Sequence, residues 1–126
     1  MPGTVTYGRV PRTVETCSSG PGDLEAIGKT IEEKKVVIGG IDHHTLQIER
    51  PDQVAALIRE ALRHIPPERL IISSDCGMGR EGMGRRHAGY KMVSMVLGTN
   101  IVRKELGLPE AECLAADDRY SLTLTA

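Results

Sequence analysis

Residues 34–77, "KKVVIGGIDHHTLQIERPDQVAALIREALRHIPPERLIISSDCG", decide the fold, because within them the apolar pattern changes period twice. "KKVVIGGID" is a compact β-branched run flanked by charges, the mark of a strand buried on both faces, and it predicts a strand over residues 35–41. Val54, Leu57, Ile58, Ala61, Leu62 and Ile65 then recur at i, i+3, i+4, i+7, i+8 and i+11, which is one face of a helix. Pro51 suits the first helical turn, Asp52 the positive end of the dipole, and Pro66 and Pro67 stop the helix where the stripe ends. "RLIISS" reads as a second buried strand. Strand, helix and strand with short links form a right-handed βαβ unit with parallel strands, so the fold class is α/β.

Working outward, Ala88, Met92, Met95, Val96 and Thr99 predict a second helix with these residues on its apolar face, capped by Gly107 with Pro109 beyond. Residues 108–126 read as an extended or weakly ordered tail. On the other side, residues 1–33 carry scattered Gly, Pro, Ser and Thr and read as poorly ordered. A short helix is expected within them at 23–33, with Asp23 as N-cap and Leu24, Ile27 and Ile31 near helical spacing.

The chain has 126 residues and is 40% hydrophobic, which suits a single domain. It has three tyrosines and no phenylalanine or tryptophan, so its core must come from aliphatic side chains, Ala and Met. A net charge of −1 argues against nucleic acid or an anionic membrane as partner, since phosphate binding needs concentrated Lys and Arg. Arg80, Arg85, Arg86 and His87 are the local exception. No apolar run approaches the roughly 20 residues of a membrane span, and the N-terminus lacks the apolar core of a signal peptide. Three widely spaced cysteines, Cys17, Cys76 and Cys113, do not form a secreted disulfide framework, which points to the reducing cytoplasm.

Chemistry concentrates in "SSDCGMGREGMGRRH", residues 73–87. Gly77, Gly79 and Gly82 satisfy G-x-G-x-x-G between a strand and a helix, but the acidic residue such a fingerprint requires about 20 positions on would fall inside the helix near Val102. A bare anion site at the helix start with Arg85 and Arg86 survives that objection. Cys76 directly follows the strand, at the carboxyl end where ligand-facing residues of parallel α/β folds collect. As a nucleophile it would need a base such as His87 or His44. His43 and His44 close the first strand, where alternation of side chains lets at most one face the same cavity as Cys76, as a second metal ligand. His64 reads as a stabiliser of a helix C-terminus.

The order of these features resembles the end of the catalytic barrel in the cobalamin-independent methionine synthase family. There a strand reading "IGxID" is followed by a short acidic segment, a helix opening "PxxVAxxIRxAL", then "PPERL", a strand and "DCG". The likeness runs from about residue 34 to about residue 107. It implies a zinc-dependent alkyltransferase on a (β/α)8 barrel, with the cysteine of "DCG" as the last zinc ligand; Cys76 takes that place. It also implies homocysteine as thiol substrate and a methylated folate as donor, with zinc holding the thiol deprotonated. The family's other ligands are a His-x-Cys pair and a glutamate on earlier strands, and this sequence has no His-x-Cys.

Such a barrel needs eight strand-helix repeats and about 250 residues. The chain is therefore expected to be the last strand-helix repeats of a TIM barrel, an incomplete barrel whose residues 34–107 form the β-α-β-α segment. Activity would then require a missing or partner segment, and the isolated chain would bind zinc weakly. Two rivals remain: a non-catalytic fragment or assembly subunit that pairs exposed strand edges with another chain or with itself, and an anion-binding α/β module using residues 77–86. His43 and His44, a polar pair at a barrel mouth, would bear on which thiol is accepted.

Overall fold

The computed structural model describes residues 12–14, 24–30, 34–75, 77–79 and 82–117. Strands β1 (Arg12–Val14), β2 (Val36–Ile41) and β3 (Leu70–Ser74) form one parallel sheet in the order β1-β2-β3. Helices α1 (Leu24–Thr30), α2 (Pro51–Leu62) and α3 (Arg85–Glu105) alternate with them, and 3-10 turns lie at Pro67–Arg69 and Leu114–Ala116. This is the α/β class expected.

β2 occupies the centre of the described sheet, paired with β1 on one edge and β3 on the other. Val36, Ile38 and Ile41 are fully buried, whereas β3 is only partly so and Ile71 is 36% exposed. The expectation of a second buried strand therefore fails. β3 is an edge strand, and its four consecutive partners run from Val36↔Leu70 to Gly39↔Ser73 before the pairing skips Gly40. β1 was not legible in the sequence: a run of three residues shows no period, and its pairing with Val36, Val37 and Ile38 defines it.

Two clusters make the core. Leu24 of α1 packs with Val36, Ile38, Ala61 and Ile65, while Val54, Ala55 and Ile58 of α2 pack with Ile41 and with Val102 of α3. Leu70 and Ile72 touch both clusters, so the alternate residues Val37 and Ile71, paired in register, lie on the other face of the sheet. Each fully buried aliphatic side chain contributes about 1.5–3 kcal/mol.

α2 follows the sequence closely: Pro51 stands at its start, Arg50 donates its backbone N–H to Gln53 Oε1 at 2.9 Å, and the apolar stripe faces inward. α1 lies inside the expected span; Asp23 is outside the described residues. In α3 the outcome differs. The buried line is Lys91, Ser94, Gly98 and Val102, not the Met-rich stripe, and Met92 is 36% exposed. A Cβ on Gly98 would stand 2.6 Å from Val54 Cβ and 2.7 Å from Pro51 O, so the small residues let α3 approach α2 closely. Met95, Val96 and Thr99 line a cleft of about 570 Å3 beside β3.

α3 ends with Gly107 at φ 72°, as expected for its cap, and Leu108 N–H returns to Arg103 O at 2.8 Å. The segment beyond is held: buried Asn100 donates Nδ2–H to Ala111 O and accepts from Ala111 N–H, both at 2.8 Å. That pairing fixes the start of the predicted tail. Residues 118–126 lie outside the described residues.

Candidate functional site at the strand ends

β2 and β3 end side by side. Asp75 N–H donates to Ile41 O at 2.9 Å, extending the pairing one residue past β3 and placing Asp75, 4% exposed, beside the end of β2. Gly39 makes the room: a Cβ there would lie 1.6 Å from Asp75 Oδ1. Cys76 is the next residue and lies outside the described residues, as does Arg80.

His43 and His44 do not continue β2. They form a turn after Ile41, with ring centroids 3.8 Å apart and planes tilted by 42°. The expectation that strand alternation would separate them is overturned, because alternation ends with the strand. Asp42 Oδ1 accepts the backbone N–H of His44 at 2.8 Å and lies 3.2 Å from its Nδ1. The backbone N–H of His44, then its ring, holds the Asp42 carboxyl below the ordinary carboxylate value, against the opposing effect of burial. His43 Nδ1 is buried without a hydrogen-bond partner among the described residues.

The turn belongs to a longer loop, residues 42–49, whose centre is a residue the sequence reading passed over. Lys91 of α3 is fully buried and donates from Nζ to Asp42 O at 3.0 Å, Gln47 O at 2.8 Å and Glu49 Oε1 at 2.8 Å. Glu49 Oε2 in turn accepts Asp42 N–H at 2.7 Å. A cleft of about 270 Å3 opens beside this loop, lined by Asp42, Thr45, Gln47 and Glu49. The available signal was the line Lys91, Ser94 and Gly98, three polar or small residues at helical spacing.

The other candidates sit elsewhere. His64 Nε2 lies 3.7 Å from Glu60 Oε1 just past α2, while its neighbour Ile65 packs against Val36 at the opposite end of the sheet. Arg85, Arg86 and His87 are exposed in the first turn of α3, which has Gly84 as N-cap and no acidic residue in that turn. Val102 is interior to α3, so the position where a dinucleotide site needs its acid is helical and apolar. No described helix is long and apolar enough to cross a membrane.

Residues 12–98 match the family described as cobalamin-independent synthase, catalytic domain. Methionine synthase from Thermococcus kodakarensis is 41% identical over 84 residues, which is 67% of this chain and 24% of that protein. The Saccharolobus solfataricus methionine synthase is 40% identical over 83 residues, 66% of this chain and 24% of that protein. Among solved structures, a B12-independent methionine synthase from a Shewanella species, in complex with selenomethionine, superposes with TM-score 0.65 and 31% identity, covering 78% of this chain and 27% of its own. The chain thus spans about a quarter of the length of the relatives it matches.

Proposed function

Since this chain belongs to the cobalamin-independent synthase catalytic-domain family, we propose that it forms part of a methionine-synthase-like methyltransferase acting on a thiol such as homocysteine with a methylated folate as donor. The observation that carries this reading is the family match over residues 12–98, which takes in both strand ends and the "DCG" at Asp75–Gly77. In this reading residues 34–107 are a β-α-β-α segment of a (β/α)8 barrel, residues 1–33 and 108–126 flank it, and the reaction takes place in the reducing cytoplasm.

Cys76 is our candidate zinc ligand. A thiolate suits zinc, but a catalytic zinc uses three protein ligands and keeps one position open, and the family's His-x-Cys pair is absent here. The family's full ligand set is therefore not present in this sequence. Among the described residues Asp42, His43 and His44 bring ligand atoms within 4.8 Å of one another, and in this reading the donors beside Cys76 come from that turn, from another segment or from a partner chain. Bound zinc would keep a substrate thiol deprotonated near neutral pH. The chain's own contribution is positional: Asp42 Oδ1 lies 3.2 Å from His44 Nδ1 and, with that nitrogen protonated, orients the ring at the end of β2.

Zinc titration of the purified chain tests the role of Cys76. The expected result is weak binding, with Cys76→Ala lowering the affinity at least about tenfold, or ~1.4 kcal/mol. Equal affinity in the two proteins overturns it. A second reading, an assembly subunit, is favoured by the exposed Ile71 on edge strand β3. A stable monomer in sedimentation would argue against it.

A further inference from the structure

We propose that the turn after β2 is by itself a site for a borderline divalent transition ion such as zinc, held by Asp42, His43 and His44 without any cysteine. This goes beyond the role given to Cys76 and stands whether or not that role does.

Each of the three side chains offers one ligand atom, and these atoms all lie within 4.8 Å of one another. One edge of the site is already set, because Asp42 Oδ1 and His44 Nδ1 stand 3.2 Å apart. Two ligands of a tetrahedral zinc, on bonds of ~2.0–2.1 Å, are about 3.3–3.4 Å apart, so this pair has the spacing of two zinc ligands. His43 supplies the second imidazole. Its Nδ1 is buried with no hydrogen-bond partner among the described residues, a costly state for a polar nitrogen that an ion bound at this ring would relieve. His44 is exposed, which gives an ion a route from solvent.

The carboxylate is held in place before any ion arrives. Asp42 N–H donates to Glu49 Oε2 at 2.7 Å, and Asp42 O accepts from Lys91 Nζ at 3.0 Å. Glu49 Oε1 accepts a further Lys91 N–H at 2.8 Å, so the ammonium is balanced within that pair and the Asp42 carboxylate is the anion beside the histidines. Outer contacts of this kind orient metal ligands and strengthen binding. Two imidazoles with one carboxylate favour zinc, cobalt or nickel over magnesium and calcium, which take oxygen ligands. On binding, the proton of His44 Nδ1 passes through solvent to Nε2, and the Nδ1 lone pair goes to the metal.

The test uses the full chain, without an affinity tag, carrying Cys17→Ser, Cys76→Ala and Cys113→Ser so that no thiol is present. Zinc binding is measured by calorimetry and cobalt binding by its visible spectrum. The expected result is one ion per chain, with affinity lowered at least about tenfold by His43→Gln and by Asp42→Asn. His64→Gln and His87→Gln should change it by less than about twofold, and an excess of magnesium of about a hundredfold should leave it in place. If His43→Gln fails to fold, as judged by circular dichroism, His44→Gln at the exposed ring carries the same expectation. If the thiol-free chain fails to fold, Cys76→Ala alone replaces it, and the cobalt spectrum must then lack a thiolate charge-transfer band. No zinc binding in these chains overturns the proposal. So does binding that ignores both His43→Gln and His44→Gln, that follows His87, or that yields to magnesium. Failure of the Cys76 role is seen separately: equal zinc affinity with and without Cys76, still lowered by His43→Gln, supports the turn site and overturns that role.

Discussion

At Gly39 a carboxylate occupies the volume another residue's side chain would take. Gly39→Ala would press its methyl into Asp75 and should destabilise the chain by about 1–3 kcal/mol, measured by urea denaturation. Adding Asp75→Ala should recover part of that loss, and a purely additive pair would show that the collision is not the cause. Asp42 gives a prediction of known sign. Its folded-state carboxyl is held below the ordinary value, so its contribution is fully present above the ordinary value and is lost as pH falls from there through the lowered folded-state value. The acid limb of the stability profile should therefore flatten in Asp42→Asn, as read from urea midpoints between about pH 7 and pH 3. At this scale the position after a strand marked Asp75, which the structure buries beside β2, while Cys76 lies outside the described residues. The sequence hid the Asp42–His44 pair, because a turn and not a strand carries the histidines, and it hid Lys91, because an isolated lysine in a helix reads as solvated.

For helices the question is which stripe faces inward, and α2 and α3 answer it differently. In α2 Val54, Ile58 and Ala61 of the apolar stripe are buried, with Ala55 beside them, so periodicity found the inward face. In α3 the buried line is Lys91, Ser94, Gly98 and Val102, since close approach to α2 selects small side chains and the loop 42–49 selects a cation. Hydrophobic periodicity cannot register either demand. Gly98→Val should consequently cost about 1–3 kcal/mol by forcing the helices apart, whereas Met92→Lys should stay within about 0.5 kcal/mol. Thermal melts of the two variants compare them directly, and the reverse ranking would mean that the Met-rich stripe is the packed one. The bidentate Arg59–Glu105 pair that joins the same helices is exposed and adds little.

Across the whole molecule, the parallel β-α-β order and the short links were legible, because two strands and one helix carried clean periods. The sidedness of the sheet was not. A β-branched run looks the same whether its second face meets protein or water, so β3 read as buried when only one of its faces enters the core. That asymmetry is measurable between adjacent residues. Ile72 packs against both core clusters, so Ile72→Lys strands a charge among aliphatic side chains and should cost at least about 2 kcal/mol. Ile71, one residue earlier and 36% exposed, can send a lysine ammonium into water, so Ile71→Lys should cost under about 1 kcal/mol. The comparison is made by urea denaturation at two protein concentrations about a hundredfold apart, because that separates folding from association. Equal, concentration-independent losses would mean that protein of this same chain covers Ile71. A loss at Ile71 that appears only at the higher concentration would mean that a second copy covers it, and that this sheet is finished between chains.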